Sequence, residues 1–266
     1  MLNGKKIVVV MPAYNAEKTL KRAYDEVYKP FVDDIILVDD SSLDNTKELS
    51  KSLNITTIVH KENRGYGANQ KSCYKAALNS GADIVIMLHP DYQYTPKLIP
   101  AVASMLAFEE YDAVLVSRMM GKSALKGGMP LYKFLANKFL TTFENIFLNE
   151  NLSEYHTGFR GFTKKVLESL PLESCSDDFI FDNEIIALMF MNNYRIGEMS
   201  CPTKYFEEAS SINFIKSCKY GLGVLYISLL YRLAKCGLKL SIFKDKGKRL
   251  NLDDNLLYYY KNENNV

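Results

Sequence analysis

Short apolar runs alternate with amphipathic stretches over the first 117 residues of this 266-residue chain. Each apolar run is rich in β-branched and aliphatic residues and ends abruptly in polar or turn-forming residues, as a buried strand does. Between the runs, apolar residues recur at the spacing of one helix face. The pattern predicts strands at 5–11, 34–38, 55–60, 84–88 and 112–117, and helices at 16–28, 44–53 with its cap, 68–79 and 95–108.

Strands that alternate with helices indicate an α/β fold with a doubly wound, mostly parallel sheet flanked by helices. The carboxyl ends of such strands share one edge of the sheet, and ligands bind just outside that edge. A nucleotide site is therefore the expectation for this edge. No GxGxxG follows the first strand and no GxxxxGK[ST] is present, so neither a dinucleotide fingerprint nor a Walker loop explains the pattern.

The alternation stops after Arg118. Residues 121–130 combine three glycines and a proline with Lys122 and Lys126, and this composition fits either a basic lid or a plain connector. Further helices are predicted at 131–148, 184–191 and 211–235, with a strand at 194–201 and one more short helix at 250–260. The helix at 211–235 is nearly all apolar from Tyr220 to Tyr231 and is followed by cations. It could lie on a membrane surface, although packing on the core is the favoured interpretation.

Composition narrows the class of protein. A formal net charge of +2 gives no electrostatic case for binding nucleic acid. Five cysteines without a CxxC pair support neither a zinc site nor a disulfide framework, and they fit a reducing compartment. The first residues run straight into a strand without a secretory h-region, and no apolar stretch approaches the roughly 18–20 residues of a membrane span. We therefore expect a cytoplasmic protein.

Oxygen ligands gather after the strand at 84–88, where Pro90 ends the ladder. Asp91 and Gln93 follow at once, with His89 beside them. Because Mg²⁺ and Mn²⁺ prefer carboxylate and carbonyl oxygens, this is a candidate metal site. The alternative is an ordinary turn with solvated polar residues.

Two adjacent carboxylates, Asp39 and Asp40, end the second strand. They repel each other unless each has a partner, and one could accept a hydrogen bond from a base or a ribose. Turn and capping chemistry is the alternative.

Two dense polar stretches lie in the second half, at 153–162 and 176–184. The forked donors of Arg160 suit phosphate. His156 could be a general base, a phosphate donor or a satisfied core histidine. Asp182 and Glu184 would be favoured at a helix start by the dipole, whereas Asp177 and Asp178 are less easily explained that way.

The motifs at the strand ends, taken together, resemble the family-2 glycosyltransferases of the GT-A fold. The resemblance is to the polyprenyl-phosphate branch typified by dolichyl-phosphate mannose synthase. It rests on residues 10–17 (Val-Met-Pro-Ala-Tyr-Asn-Ala-Glu), 38–46 (Val-Asp-Asp-Ser-Ser-Leu-Asp-Asn-Thr), 63–67 (Asn-Arg-Gly-Tyr-Gly) and 89–93 (His-Pro-Asp-Tyr-Gln), and more loosely on 157–160 and 182–184.

This resemblance implies a nucleotide-sugar donor and a divalent metal, Mn²⁺ or Mg²⁺. It would place the metal on Asp91 and Gln93 with His89, which stands where the family has an aspartate and whose neutral imidazole would weaken Mg²⁺ binding. The implied nucleotide-binding residues are Pro12, Tyr14, Asn15, Glu17, Asp39, Asp40, Arg64 and Gly65.

The resemblance also implies inverting displacement at the anomeric carbon. A lipid-phosphate acceptor, reached at the inner face of the membrane, needs no general base, and Arg118, Lys126 and Arg160 could bind its phosphate. A sugar hydroxyl acceptor needs a base, for which Asp177, Asp178 and His156 are the candidates, with Asp91 at the metal. A sugar-to-sugar transferase and a non-catalytic nucleotide-sugar-binding module remain the alternatives.

The same resemblance divides the chain. Residues 1–217 would form the glycosyltransferase domain, with a nucleotide-binding half at about 1–120 and an acceptor half at about 121–217. Residues 218–266 would form a C-terminal amphipathic helix and a charged tail.

Overall fold

The computed structural model describes residues 1–121, 123–202, 214–243, 248–251 and 258–260. Its strands are β1 Ile7–Ala13, β2 Asp34–Asp39, β3 Thr56–Val59, β4 Ile84–Met87, β5 Ala113–Ser117, β6 Arg160–Thr163, β7 Ile196–Ser200 and β8 Tyr258–Tyr260. Its α-helices are α1 Glu17–Asp25, α2 Thr46–Ser52, α3 Tyr66–Asn79, α4 Ile99–Ala107, α5 Ser123–Lys126, α6 Leu131–Leu148, α7 Lys164–Ser169, α8 Phe181–Met191 and α9 Phe214–Lys235. Short 3-10 turns cover Lys29–Phe31, Pro96–Leu98, Leu172–Ser174 and Ser241–Phe243.

All eight strands join one sheet in the order β7-β5-β6-β4-β1-β2-β3-β8. Strands β3, β2, β1 and β4 are parallel, and β5 pairs in parallel with β7. Strand β6 runs antiparallel between β4 and β5, and β8 runs antiparallel along β3. The expected α/β fold with a mostly parallel sheet is confirmed.

Helices cover both faces of the sheet, and β1 shows why its sequence is apolar throughout. Successive side chains of a strand point to opposite faces. Val8 and Val10 accordingly pack into one core cluster with residues of α3 and α8, while Ile7 and Val9 pack into another with residues of α1 and α4. Both faces are therefore buried, as is typical of a parallel sheet in an α/β protein.

The antiparallel strand β6 was absent from the sequence-based prediction. It has four residues, begins with Arg160 and contains Gly161, so it shows no apolar run. A Cβ on Gly161 would lie 2.6 Å from Val102 Cγ1 and 2.7 Å from Leu106 Cδ1, so only glycine lets α4 approach this strand so closely.

Predictions for the rest of the second half meet mixed outcomes. The helix at 131–148 is confirmed as α6, whereas the predicted loop at 121–130 contains the short helix α5. The predicted helix at 250–260 is wrong at its end, because 258–260 form β8; residues 252–257 lie outside the described part.

Helix α9 is described from Phe214, and its predicted first residues, 211–213, lie outside the described part. The division expected at residue 217 falls inside this helix, which packs against α6 and α8. Within the described residues, no helix combines the length and the apolar character that a membrane crossing requires.

Candidate functional site

The first two strands bring their loops together at the carboxyl edge of the sheet. Asn15, at φ 52°, donates from its backbone N–H to Ser42 Oγ (2.9 Å) and accepts at Oδ1 from the N–H of Leu43 (2.8 Å). Glu17 accepts from Asn45 Nδ2 at 2.9 Å. These bonds tie the β1–α1 loop to the β2–α2 loop and leave Tyr14, which is 50% exposed, at the rim beside Pro12.

Asp39 ends β2 with its side chain buried against its own loop. Its carboxylate accepts from the N–H of Ser42 (3.0 Å) and from the Ser42 hydroxyl. Burial raises the pKa of Asp39, and the bonds from Ser42 act in the opposite direction. The carboxyl group is thereby oriented by a turn in which Ser41 adopts φ 61°.

Asp40 has a separate set of partners, which resolves the repulsion expected between the two acids. It accepts from His60 Nδ1 (2.6 Å) and from the N–H groups of Arg64 (2.9 Å) and Gly65 (3.0 Å). His60 Nε2 in turn lies 2.9 Å from Ser72 Oγ. Asp40 therefore shapes the loop at 63–65, and the Arg64 side chain is exposed from that loop.

The same loop leads into the start of α3, against which residues 176–177 pack. The N–H of Gly67 donates to the carbonyl of Asp177 at 2.8 Å. A Cβ on Gly65, which has φ 98°, would come within 2.7 Å of that oxygen. The Asp177 carboxylate is 65% exposed and 2.8 Å from Lys71 Nζ, and Asp178 lies 2.9 Å from Lys219 Nζ.

His89 is stacked against Tyr66, with ring centroids 5.4 Å apart and planes 11° apart. Its Nε2 lies 3.1 Å from Tyr66 Oη, and that hydroxyl donates to Asp182 Oδ2 at 2.9 Å. The Tyr66 hydroxyl therefore contacts both Asp182 and the His89 ring. Burial lowers the pKa of His89, while the charge of Asp91 acts in the opposite direction.

Asp91 follows His89 at the same edge and is partly exposed. Its Oδ1 accepts from the N–H of Gln93 at 3.1 Å, and Gln93 itself is 8% exposed. No group of three or more His, Cys, Asp and Glu side chains converges on a metal position within the described ranges. The chemistry of this donor set still fits a Mg²⁺ or Mn²⁺ bound through one carboxylate, because such ions take most other ligands from substrate phosphates and water. His89 fits less well, since its Nε2 faces Tyr66.

Arg118 is placed by a buried acid that the sequence did not single out. Arg118 Nε donates to Glu154 Oε1 (2.9 Å) and its terminal nitrogen donates to the carbonyl of His156 (2.7 Å). Glu154 is fully buried, and burial alone would raise its pKa, but the Arg118 charge and hydrogen bonds hold the pKa below its ordinary value. The Arg118 side chain keeps 12% exposure. Lys126, at the end of α5, is exposed.

Arg160 occupies a different environment from the one expected of a phosphate ligand. It is 0% exposed and donates to the carbonyls of Thr157 (2.6 Å), Asp182 (3.0 Å) and Tyr155 (3.0 Å). Its terminal nitrogen also lies 3.2 Å from Asp182 Oδ1. These contacts correct the assignment to an acceptor phosphate: the guanidinium is used inside the protein, between β6 and α8.

His156 is likewise surrounded by protein atoms. Its Nδ1 lies 2.8 Å from Tyr220 Oη and its Nε2 lies 3.3 Å from Glu144 Oε2. Burial lowers its pKa to about 3. Of the three interpretations open at the sequence level, this environment favours the core histidine.

An acid-lined carboxyl edge of a mostly parallel sheet is where α/β proteins bind their ligands, so the fold and these side chains are those of a ligand-binding α/β protein. A model of the glycosyl transferase family 2 matches residues 8–170, and the chain belongs to that family. It is therefore a glycosyltransferase.

Two relatives and one solved structure illustrate the family relationship. The chain is 32% identical over 214 residues to an uncharacterized protein of Methanocaldococcus jannaschii, covering 79% of this chain and 86% of the relative. It is 26% identical over 248 residues to the UDP-N-acetylglucosamine–dolichyl-phosphate N-acetylglucosaminyltransferase of Methanococcus voltae, covering 87% and 98%. The fold matches glucosyl-3-phosphoglycerate synthase from Mycobacterium tuberculosis in complex with Mn²⁺, UDP and glucosyl-3-phosphoglycerate, with a TM-score of 0.64 at 17% identity, covering 90% and 82%.

Proposed function

We propose that this glycosyltransferase moves a sugar from a nucleotide-sugar donor to a polyprenyl phosphate, with inversion, at the cytoplasmic face of a membrane. One observation carries the acceptor part of the proposal: two neighbouring helices, α6 and α9, present an outer surface that is both apolar and cationic. The Methanococcus voltae relative, named for transfer to dolichyl phosphate, supports the same acceptor class over nearly its whole length.

This outer surface, the cationic apolar face, is formed by exposed side chains at helical spacing. Helices α6 and α9 pack against each other. The only acid on α6, Glu144, is buried, and residues 214–243 contain no acid. Apolar side chains beside cations favour adsorption to anionic lipid. The exposed apolar members are Leu131, Tyr132, Leu135, Phe139, Ile146, Leu222, Tyr226 and Leu229, and the exposed cations include Lys216, Lys219, Arg232 and Lys235.

The donor would bind at the carboxyl edge of the sheet, with its base and ribose at Asp39 and the loops of Tyr14 and Arg64. Asp91 would bind a divalent metal, and a metal there supplies positive charge to the diphosphate leaving group. The structurally similar synthase was crystallised with Mn²⁺ and UDP, which supports this arrangement. Gln93 is fixed by the same turn as Asp91 and would add a neutral oxygen.

A phosphate acceptor explains why no free base is needed. A phosphate oxygen is already anionic near neutral pH and attacks without losing a proton. The partly exposed guanidinium of Arg118, oriented by Glu154, would bind that phosphate, with Lys126 as a second cation. His156 is buried, and both Asp177 and Asp178 are paired with lysines, in keeping with an acceptor that requires no deprotonation.

The test begins with a thermal-shift panel of UDP-, GDP- and dTDP-sugars, each with and without Mn²⁺. A sugar nucleotide that binds only the folded protein raises the apparent stability of that protein. The donor found is then used in a transfer assay with a phosphorylated polyprenol in anionic vesicles. Asp91→Asn is expected to lower metal-dependent transfer by about 100-fold, whereas the exposed Asp25→Asn control is not. Full activity of Asp91→Asn would remove Asp91 from the metal site. Transfer to a sugar hydroxyl instead of the polyprenyl phosphate would favour the sugar-to-sugar alternative, with Asp177 as the exposed carboxylate.

A further inference from the structure

Four side chains from three helices and one loop form a closed ring beneath α9. Asn183 Nδ2 donates to Glu144 Oε1 (2.6 Å), and Tyr220 Oη donates to Asn183 Oδ1 (2.7 Å). His156 Nδ1 lies 2.8 Å from Tyr220 Oη, and His156 Nε2 lies 3.3 Å from Glu144 Oε2. Glu144 and Asn183 are 2% and 3% exposed, so their side of the ring is shielded from water.

Counting protons around the ring shows that one proton must lie between His156 Nε2 and Glu144 Oε2, and burial favours the carboxyl as its site because both groups are then uncharged. The single proton of Tyr220 points to Asn183, so the Tyr220 oxygen must accept from His156 Nδ1–H. A neutral imidazole protonated at Nδ1 presents a lone pair at Nε2, toward Glu144 Oε2. These two atoms otherwise have no hydrogen-bond partner, and a proton on Glu144 gives each of them one. Turning the amide of Asn183 reverses every bond of the ring but leaves the same number of protons.

We propose that Glu144 is protonated and shares its proton with a neutral His156, which closes the ring, and that the ring makes both of them positioning residues for the acceptor end of the reaction. This inference rests on the proposed function for its kinetic consequence only. Burial raises the pKa of Glu144 well above its ordinary value and lowers that of His156 to about 3, and both shifts favour the uncharged pair.

Each charged group around the ring already has another partner. Arg118 and Glu154 pair with each other on the His156 side. Arg160 pairs with Asp182 on the α8 side, next to Asn183. The charge of Arg160 still lowers the pKa of Glu144, but burial raises that pKa more strongly, which is the physical reason for keeping the proton in the ring.

The ring connects α9 to the residues proposed for the reaction. The backbone carbonyl of His156 accepts from Arg118, so the orientation of His156 influences that guanidinium. Asn183 follows Asp182, which accepts from Tyr66, the residue stacked on His89. Because Tyr220 belongs to α9, the position of α9 is linked through the ring to Arg118 on one side and to Tyr66 and His89 on the other.

A first experiment measures the protonation state without any substrate. The chain contains three histidines, so ¹⁵N-labelled histidine gives three pairs of ring nitrogen signals, and His156→Gln identifies the pair from His156. One protonated and one unprotonated ring nitrogen on His156 from pH 5.5 to 8 is the expected result. An imidazolium signal at neutral pH would overturn the proposal, whatever the enzyme transfers.

A second experiment measures positioning through kinetics. Tyr220→Phe leaves Asn183 Oδ1 and His156 Nδ1 without a partner, and we expect the KM for the polyprenyl phosphate to rise about tenfold while the KM for the donor stays within twofold. Tyr28→Phe is the matched control, because Tyr28 is 52% exposed and lies outside both the ring and the cationic apolar face. Glu144→Gln reproduces the shape of a protonated carboxyl, with one accepting oxygen and one donating end, and should rescue what Glu144→Ala loses. Equal damage from Gln and Ala, or an unchanged acceptor KM in Tyr220→Phe, would overturn the positioning role.

Discussion

Gly158 lies so close to His89 that a Cβ added to it would stand 2.7 Å from the imidazole Cδ2 and 3.1 Å from Nε2. The imidazole is thus enclosed between Gly158 and Tyr66, which lie far apart in the sequence. The absence of a side chain at residue 158 is a requirement of the site, because His89 precedes the proposed metal residue Asp91 by only two positions.

The first prediction concerns this contact. Gly158→Ala is expected to displace the His89 ring and to lower the free energy of unfolding by about 1–3 kcal/mol, the usual cost of overpacking. Donor affinity in the presence of Mn²⁺ should fall as well. Gly221→Ala is the control, because its Cβ would meet only Leu140 Cδ1 at 3.9 Å. Chemical denaturation and donor titration measure the two effects, and identical stabilities for the two variants would contradict the prediction.

The second prediction tests Asp39 as a nucleotide ligand. Asp39→Asn preserves the size of the side chain but removes its charge, so nucleotide affinity is expected to fall about tenfold or more, as for a lost hydrogen bond to a charged group. Asp33→Asn, just before the opposite end of β2, is the matched control. Calorimetric titration with the preferred nucleotide measures both, and equal affinities would exclude Asp39 from the site.

The third prediction uses the pH dependence of stability. The pKa of Glu144 is raised in the folded protein above its ordinary value of 4.5, so the folded state binds a proton that the unfolded state releases as the pH rises above 4.5. The stabilisation from Glu144 is therefore complete below about pH 4.5 and is lost as the pH rises toward the folded pKa. The amide of Glu144→Gln does not titrate, so the stability of this variant lacks that pH dependence.

The measurement is the difference in unfolding free energy between Glu144→Gln and the wild type from pH 4.5 to 8.5. We expect the variant to gain on the wild type as the pH rises, by at most about 1.4 kcal/mol per pH unit. A difference that stays constant over this range would mean that Glu144 titrates normally.

The fourth prediction concerns the cationic apolar face. The double variant Leu135→Ser, Phe139→Ser removes two exposed apolar side chains from α6 and should weaken binding to anionic vesicles about tenfold or more. Phe108→Ser is the control, because Phe108 is similarly exposed at the end of α4. Vesicle flotation at low and high salt measures the effect; equal flotation of both variants would place the membrane contact elsewhere.

The sequence predicts the strands that are continuous apolar runs, because such runs have few alternatives to burial on both faces of a sheet. Strand β6 escapes this rule, since Arg160 contributes to it through buried hydrogen bonds and Gly161 through close packing. Strand β8 was assigned to a helix, because its pairing with β3 depends on a contact across most of the chain.

The site residues also divide into those whose place the sequence predicts and those whose place it does not. The positions of Asp39 and Asp91 at the carboxyl edge could be expected from the ends of their strands. The partners of His156 could not, since Glu144, Asn183 and Tyr220 come from three separate helices. Glu154 lies within a stretch that the sequence marks as polar, yet only its bonds to Arg118 identify its role.

Helix α3 has a polar sequence and is nevertheless almost wholly buried. Asn69 donates to the carbonyl of Val38 at 3.2 Å, at the end of β2, whereas Gln70 donates to Asp182 at 2.9 Å, in α8. Lys71, on the same helix, donates to the carbonyl of Cys175 and to the carboxylate of Asp177. Interior helices usually tolerate apolar substitutions, whereas α3 should tolerate them poorly. Lys71→Leu would suit the burial but would leave two acceptors without their donor. Substitution in this helix is therefore restricted more by the hydrogen bonds that its side chains make than by their volume.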